Sequence, residues 1–270
     1  MPPYLIYMKK QGAGTLPPAI QDISLFTQTQ VASISNTTQP TQSQFSADGL
    51  ELFIGGWNQD GLFRYTLGTP YDLNTIAFQD FTTLPGTTYT AAITDFQFNS
   101  DGTRLYTFEQ GGGIRTIKQH SLSVGFDLTT LAFVDEYDII PAINSDGGFY
   151  VTPDETKMLM VDQGTDTVRS FTMSAADVTT FVEDAGTHVI TEDGGPRNIQ
   201  CSLDGTKMFI AGDSNNKIFQ YSMGTPFDVT TISYDNKSLD TGISINMSVN
   251  NVNGSIFAVD YSLKTIKKFA

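Results

Sequence analysis

Short apolar runs separated by Gly, Asn, Asp and Pro predict a chain built from β-strands. Within residues 203–234, positions 208–211 form one such run, and Ile218, Phe219 and Tyr221 lie in a second. Asp204-Gly205 precedes the first run and supplies the positive φ angles of a tight hairpin turn. A third run begins at residue 232. Strands this short, bounded by turn residues, are typical of antiparallel sheet and not of helix.

The same module repeats along the chain at intervals of about 50 residues, a period typical of repeat architectures. One marker is the opening turn, and the other is an Asp followed by a branched apolar residue and a Thr, Asn or Ser. The opening turns are Asp48-Gly49, Asp101-Gly102, Asp154-Glu155, Asp204-Gly205 and Asn253-Gly254. The second markers begin at Asp22, Asp72, Asp127, Asp177 and Asp228. Both series predict five copies of one unit.

The two series are offset at the ends of the chain. No second marker follows Asn253, and no opening turn precedes Asp22. This offset predicts a closed ring, in which one unit takes its inner strands from the C-terminus and its outer strand from the N-terminus. In the second copy, four strands are predicted at 93–98, 103–108, 113–118 and 131–137. Four-stranded units arranged around an axis form a propeller.

The predicted fold is therefore all-β: a five-bladed β-propeller with four antiparallel strands in each blade. The propeller is predicted to span residues 19–270, and residues 1–18 form an N-terminal extension outside the repeat. The fifth-blade closure replaces the polar caps that an open solenoid needs.

Charge and composition exclude several kinds of partner. The formal net charge is −14, whereas nucleic acids and anionic membranes attract clustered Lys and Arg. No apolar run reaches the roughly 18 residues that insertion into a membrane requires. The apolar residues at the N-terminus precede its lysines, the reverse of a secretory signal. Cys201 is the single cysteine and occupies the core position held by Phe45, Phe98 and Val151 in the other copies.

In a propeller, one face carries the loops between the second and third strands and the crossovers between blades; we call it the loop face. Crossovers 85–89, 140–148 and 187–197 are the longest and most irregular connections, and such loops are where binding usually occurs. The loop-face side chains predicted to bind a ligand are Trp57, Asn58, Glu109, Gln110, Asp162, Gln163, Asp213, Asn215, Asp260 and Tyr261. The second-marker aspartates lie on the opposite face and are predicted to be structural.

Other interpretations of these residues stay open. Glu109, Asp162 and Asp260 follow equivalent strands and also suit turn capping, and Trp57 suits either packing or stacking on a sugar ring. A glycosidase needs two carboxylates about 5 to 9.5 Å apart, for which Glu109 with Asp162 or Asp260 is the available pair. A calcium site would use oxygen ligands of Glu109, Asp162, Asp213 and Asn215. No cofactor and no catalytic residue is expected.

The motif D-G-T-K-M-(F/Y), followed by G-T-P-(F/Y)-D-(V/L)-T-T, resembles the propeller repeats of marine bacterial and phage-associated tail or virion proteins. More distantly it resembles lactonase-like and TolB-like propellers. The resemblance covers nearly the whole chain from Asp22 and implies repeat geometry without any catalytic residue. The third copy departs from it at Asp154-Glu155 and at Ser174-Ala175-Ala176-Asp177. Because propellers host unrelated activities, the motif is specific for fold and not for function.

These observations favour a non-catalytic binding protein, located in a phage virion, that recognises a host-surface glycan or protein. The segment Tyr4, Leu5, Ile6 and Tyr7 is apolar and aromatic, and it suits either an edge strand or an anchor that adds a strand to another virion protein. Two alternatives remain: a cytoplasmic glycoside- or lactone-hydrolysing enzyme, and a purely structural decoration protein of the virion.

Overall fold

The computed structural model describes residues 22–57, 59–86, 92–111, 113–139, 143, 147–242, 250–252 and 254–270. For residues 114 and 250–252 only the backbone is described. The predicted anchor Tyr4, Leu5, Ile6 and Tyr7, and the predicted domain boundary at residue 19, lie outside these ranges. Both stay predictions.

Four blades are formed by consecutive strands, each with the strand order of the sequence from the axis outwards. Blade 1 contains β2 (Pro40–Phe45), β3 (Glu51–Gly56), β4 (Gly61–Leu67) and β5 (Ile76–Thr83). Blade 2 contains β6 (Ala92–Phe98), β7 (Arg104–Gly111), β8 (Ile114–Leu122) and β9 (Leu131–Asp138). Blade 3 contains β10 (Phe149–Val151), β11 (Lys157–Asp162), β12 (Thr167–Ser174) and β13 (Asp177–Glu183), and β14 (His188–Val189) also pairs with β12. Blade 4 contains β15 (Pro196–Cys201), β16 (Lys207–Gly212), β17 (Lys217–Met223) and β18 (Ile232–Asp240).

The fifth blade joins the two ends of the chain, as the offset of the repeat markers predicts. Its inner strands are β19 (Asn250–Val252), β20 (Ser255–Asp260) and β21 (Thr265–Phe269). The outer strand is β1 (Gln28–Ser33), which pairs antiparallel with β21 and completes the sheet order β1-β21-β20-β19. The five-bladed propeller and its shared closing blade are confirmed.

The apolar core lies between neighbouring blades. One cluster combines Phe53 and Leu62 of blade 1 with Phe96, Phe98 and Leu105 of blade 2, all fully or almost fully buried. Alternation along each strand sends one set of side chains to the preceding blade and the other set to the following blade. Each blade is therefore buried on both faces, which is why the strands are predominantly apolar.

In blades 1, 2 and 4 the glycine of the opening turn is required because an aromatic ring of the same blade lies on it. Gly205 has φ +71°, and a Cβ there would come within 2.6 Å of the Phe227 ring. Phe227 itself has φ +57°, an uncommon conformation for a bulky residue. Gly49 with Tyr71 and Gly102 with Phe126 repeat the arrangement. The two sequence markers are thus two sides of one packing contact.

Blade 3 lacks both members of this contact. Glu155 takes the place of the glycine at φ +54°, and Ala176 takes the place of the aromatic residue at φ +57°. The Glu155 carboxylate accepts hydrogen bonds from Arg104 at 3.0 Å and from the Tyr106 hydroxyl at 2.7 Å. The departure of the third copy from the repeat is therefore a paired substitution that ties blade 3 to blade 2.

The second-marker aspartates cap turns on the face opposite the loop face. Asp72, Asp127 and Asp228 each accept a hydrogen bond at 3.0 Å from the backbone N–H two residues ahead. Asp22 and Asp177 make the same contact at 3.0 and 2.9 Å. Hydrogen bonds from Ser24 or from the following Thr lower the pKa values of Asp22, Asp127, Asp177 and Asp228, which keeps these carboxyls ionised.

Glutamines on the innermost strands connect neighbouring blades through backbone groups. Gln97 donates to the Val151 carbonyl at 2.9 Å and accepts from the Val151 N–H at 2.8 Å. Gln44 makes the same pair of bonds with Phe98, at 3.2 and 2.6 Å. A single carboxamide thereby satisfies both backbone groups on the axial edge of the next strand, which would otherwise be buried without partners.

Observed strands differ from the predicted ones mainly in length. The third strand of blade 2 extends to Leu122, beyond the predicted limit at residue 118, because the polar residues Gln119 and His120 are buried and paired with β7 and β9. The outer strands carry bulges, as between Gln119 and His120 in the β8–β9 pair, and such bulges protect exposed sheet edges. In the described part of the chain no helix has the length and apolarity to cross a membrane.

Candidate functional site

Two of the predicted loop-face carboxylates are held by the turns that they follow. Asp162 accepts from the Gly164 N–H at 3.1 Å and from the Thr165 hydroxyl at 2.9 Å. Asp260 accepts from the backbone N–H groups of Ser262 and Leu263, both at 2.9 Å. Both aspartates are buried. The capping interpretation fits these two residues, since their oxygens face local donors.

Glu109 occupies the equivalent place in blade 2 but makes a different contact. Strands β7 and β8 extend further than their counterparts in blade 3, so Glu109 lies within the sheet, paired with Thr116 across the strands. Its carboxylate forms an ion pair with Lys118 at 3.0 Å, and both side chains are almost completely buried. Glu109 is therefore neither a turn cap nor an accessible acid, because its charge balances that of a buried lysine.

Gln163, Asp213 and Arg197 form one polar cluster across blades 3 and 4. The Asp213 carboxylate accepts from Arg197 Nε at 2.6 Å and from Gln163 Nε2 at 3.2 Å. Arg197 sits at an irregularity between Pro196 and Asn198 in the innermost strand, and such bulges redirect a side chain. The cluster is partly buried, so its members hold each other in position and still reach the loop face.

Asp193 is a loop-face residue that the sequence reasoning missed. Its carboxylate accepts backbone N–H groups from Gly195 at 2.8 Å, Ser214 at 3.3 Å and Asn215 at 3.2 Å. It fixes the blade 3–4 crossover to the neighbouring turn of blade 4, together with the bond of Asn215 Nδ2 to the Glu192 carbonyl at 3.0 Å. The Gly-Gly pair after Asp193 was the available signal, because Asp before glycine favours such a turn.

The remaining predicted residues lie at the loop-face ends of the other blades. Trp57 is half-buried and donates its backbone N–H to the Gln39 carbonyl at 2.8 Å. Gln110 and Tyr261 are half-buried at the ends of blades 2 and 5. Asn58 lies outside the described residues. Of the ten predicted residues, Gln163 and Asp213 are connected by a hydrogen bond, and Asn215 lies next to them in the chain.

A second missed residue, Asp95, lies where the innermost strands converge. Its carboxylate accepts from Gln42 of β2 at 2.5 Å, from the Phe96 N–H at 2.7 Å and from the Phe149 N–H of β10 at 2.8 Å. A Cβ added to Gly148 would lie 2.6 Å from its Oδ2. Burial outweighs these hydrogen bonds and raises the pKa of Asp95 to about 7. The surrounding apolar run of β6 concealed it in the sequence.

The described residues do not assemble a metal site or a reactive thiol. No group of three or more His, Cys, Asp or Glu side chains within the described ranges is placed to hold a metal ion. Glu109, Asp162 and Asp213, the carboxylates proposed for calcium, are thus not gathered into one such group. Cys201 is buried in the core, as predicted, and burial raises the pKa of its thiol well above the usual value.

Comparisons with known proteins support the architecture. A family model described as lactonase, 7-bladed beta-propeller, matches residues 149–240. This stretch runs from the start of β10 to the end of β18, that is, blades 3 and 4, and is about a third of the chain. This chain has five blades and the family has seven, so the match reflects similarity between single blades and not a shared number of blades. No curated protein matches the chain.

Among solved structures, the chain is similar to the aldose sugar dehydrogenase of Streptomyces coelicolor, with 9% identity, a TM-score of 0.54 and coverage of 94% of this chain and 99% of that one. It is also similar to a luciferin-regenerating enzyme, with 12% identity, a TM-score of 0.52 and coverage of 89% and 94%. A protein of unknown function from Desulfotomaculum acetoxidans shows 15% identity and a TM-score of 0.50; 83% of this chain is covered, and it spans 63% of that protein. At these identities the likeness shows a shared β-propeller fold.

Proposed function

We propose that the chain is a non-catalytic binding propeller whose loop face recognises a host-surface glycan or protein. The observation that carries the proposal is the cluster of Gln163, Asp213 and Arg197. Binding sites need a few polar groups whose positions are fixed before the ligand arrives. Here two blades and one bulged strand supply a guanidinium, a carboxylate and an amide in one such arrangement.

The contacts of the loop-face carboxylates support a binding function over hydrolysis. Asp162 and Asp260 cap turns, and Glu109 neutralises Lys118. A glycosidase needs one carboxyl kept protonated and a second free to attack or to activate water. None of these three is placed for either role, because Asp162 and Asp260 face the donors of their own turns and Glu109 is buried in an ion pair with Lys118.

A location in a phage virion belongs to the same proposal. It rests on the resemblance of the repeat motif to phage-associated propellers and on the apolar segment Tyr4, Leu5, Ile6 and Tyr7, which suits attachment to another virion protein. Host attachment follows from combining that location with a loop face suited to binding.

A glycan array tests the recognition step directly. We expect the purified chain to bind a restricted set of glycans, and Arg197→Ala or Trp57→Ala to weaken binding by at least about tenfold, near 1.4 kcal/mol. Val124→Ala, an exposed position on the opposite face, is the matched control and should bind as the unaltered chain does. Absence of binding to glycans and to host surface proteins alike would refute the proposal.

A lactone-hydrolysing enzyme is the second candidate, favoured by the family match to blades 3 and 4 and by Asp95. A carboxyl with a pKa of about 7 is suited to proton transfer at neutral pH. Asp95 is almost fully buried, so a substrate would have to enter along the axis. Turnover of a panel of lactones and glycosides that is lost in Asp95→Asn would establish this candidate over binding alone.

A further inference from the structure

The crossover loops of the loop face are anchored by one repeated position in the third strand of a blade. In blade 1 the Tyr65 hydroxyl lies 3.0 Å from the Thr37 hydroxyl in the crossover from blade 5. In blade 4 the Tyr221 hydroxyl donates to Glu192 in the crossover from blade 3, at 2.7 Å. Cross-strand pairing with Leu52 and Met208 shows that the two tyrosines occupy equivalent positions.

His120 occupies this position in blade 2. It pairs with Leu105, the equivalent of Leu52, and its Nε2 lies 3.0 Å from the Pro85 carbonyl in the crossover from blade 1. A carbonyl oxygen only accepts hydrogen bonds, so Nε2 carries the hydrogen. Blades 3 and 5 have Phe171 and Phe269 here, which offer no polar atom. Only in blade 2 is the anchor a side chain that titrates near neutral pH.

Two further substitutions accompany His120 in blade 2. Lys118 and Thr107 face each other across β7 and β8, where blades 1 and 4 have the apolar pairs Phe63–Ile54 and Phe219–Ile210. Lys118 Nζ donates to the Gly86 carbonyl, adjacent to the one that His120 contacts. Burying a lysine is costly even when it is paired. Because blades 1 and 4 have apolar residues at the same position, the buried lysine of blade 2 points to a function of its contact with the crossover.

We propose that Lys118 and His120 are positioning residues that hold the Pro85–Gly86 crossover on the loop face, and that protonation of His120 releases it. This inference rests on the proposed function, because the crossover is taken to be part of the recognition surface. The Leu84 N–H donates to the Asp60 carbonyl at 2.8 Å, which connects the crossover to the loop that carries Trp57. Release would therefore also alter the surroundings of Trp57.

The groups around His120 set the sign of the effect. Its ring lies near Lys118 on the same strand, which pairs with Glu109 of β7, and it contacts Phe133 of β9 at 5.9 Å between ring centroids. Glu136 of β9 lies 3.6 Å from Lys118. Nδ1 makes no hydrogen bond of normal geometry, and the backbone of Leu105 is the polar group that favours a proton on the ring together with the Pro85 carbonyl. The burial of the ring opposes both contacts and is the larger effect.

Burial consequently lowers the pKa of His120 below its ordinary value of 6.5 while the crossover is docked. In the released state the exposed ring would regain that ordinary value and bind a proton more readily. The docked crossover is thus favoured above pH 6.5. Its population falls as the pH drops from 6.5 towards the lowered pKa of His120.

Amide hydrogen exchange of the ligand-free chain, measured between pH 7.5 and pH 5, tests the proposal. We expect the protection factor of the Leu84 amide to fall several-fold relative to that of the Thr241 amide, because protonation of His120 favours the released crossover. The Thr241 amide donates to the Asn216 carbonyl at 3.2 Å, the equivalent contact after the outer strand of blade 4, and it serves as the internal reference. Emission of Trp57, the single tryptophan, should change over the same pH range.

Two variants separate the role of His120 from a general loss of stability. His120→Tyr restores the residue of blades 1 and 4, and His120→Gln keeps an Nε2 donor without a titrating ring. Both should hold the Leu84 to Thr241 ratio within about twofold across the pH range, and His188→Gln, which removes the other histidine, should show the same fall in that ratio as the unaltered chain. Constant Leu84 protection in the unaltered chain, or the same fall in both His120 variants, would overturn the proposal. Neither result depends on glycan binding.

Discussion

At the scale of single residues, the opening-turn glycine and the aromatic residue of the second marker form a steric pair. Gly205 combines a positive φ with a ring only 2.6 Å from the position of its missing Cβ. Blade 3 replaces both members at once, with Glu155 and Ala176. The two changes occur together in one blade, as a steric pair predicts, whereas Gly254 of blade 5 keeps the positive φ with no described atom within 4 Å of its added Cβ.

The contact predicts a non-additive pair of substitutions. Gly205→Ala should lower the free energy of unfolding by about 1–3 kcal/mol, because the new methyl group meets the Phe227 ring and the left-handed backbone disfavours alanine. In a Phe227→Ala background the cost of Gly205→Ala should shrink to the backbone part, near 1 kcal/mol. Urea unfolding of the four variants gives the coupling energy.

Gly224→Ala is the matched control for this cycle, since the nearest atom to its added Cβ is 3.6 Å away. Its effect should stay within about 0.5 kcal/mol. Equal costs of Gly205→Ala with and without the Phe227 ring would show that the backbone alone requires glycine.

Asp95 predicts how stability depends on pH. Its pKa of about 7 in the fold lies above its ordinary value of 3.8, so the folded protein holds a proton that the unfolded chain releases. The stabilisation is complete below pH 3.8 and is lost as the pH rises through 7. One unit of pKa is worth about 1.4 kcal/mol. We therefore expect a contribution of roughly 2–4 kcal/mol to disappear between pH 4 and pH 8.

Asp95→Asn removes the titrating group and should be less stable at every pH. The asparagine has one acceptor oxygen instead of two, so its NH2 group would face either the Phe149 N–H or the donors on the other side. The test is the difference in unfolding free energy between the unaltered chain and this variant, followed by chemical denaturation over that range. A difference independent of pH would mean that Asp95 stays ionised in the fold.

At the scale of strands, cross-strand register decided what could be anticipated from the sequence. The turn residues and apolar runs were sufficient to predict the strands, the blades and the loop face on which Asp162, Gln163 and Asp213 lie. Register was not available, so the pairing that buries Glu109 with Lys118 was missed. Asp95 was missed for a related reason, since its partners belong to three different innermost strands.

Glutamine side chains join the innermost strands of neighbouring blades, and this predicts that removing one of them lowers stability. Gln97→Ala should lower the free energy of unfolding by about 1–3 kcal/mol, because the N–H and C=O of Val151 both lose their partner in a buried place. Gln79→Ala, at an exposed position of the outer strand β5, is the control and should change stability by less than about 0.5 kcal/mol. A similar small effect at Gln97 would indicate that water replaces the carboxamide.

At the scale of the whole molecule, the N-terminal strand β1 closes the ring against β21. The pairing runs from Gln28↔Phe269 to Ser33↔Thr265, and Thr27 and Ala270 exchange backbone hydrogen bonds at 3.2 and 3.1 Å. Without β1, the edge of β21 would be exposed, and exposed edges template association with other chains. The pairing with β1 therefore covers the edge of β21.

Truncation tests the closure. A chain beginning at residue 22 keeps every described strand and should unfold cooperatively as a single species. A chain beginning at residue 34 lacks β1 and should show a melting temperature lower by at least about 5 °C together with association. Differential scanning calorimetry and light scattering measure the two effects. Equal behaviour of the two chains would show that β1 is dispensable.

The substituted blade 3 has a consequence for docking along the axis. Blades 1, 2 and 4 repeat the glycine–aromatic contact, whereas blade 3 carries Glu155 and Ala176 on one side and the added strand β14 on the other. A disc of five identical sectors would present itself to an asymmetric partner in five indistinguishable orientations. One distinct sector removes that degeneracy, so a partner that reads the rim near blade 3 meets this protein in a single angular setting.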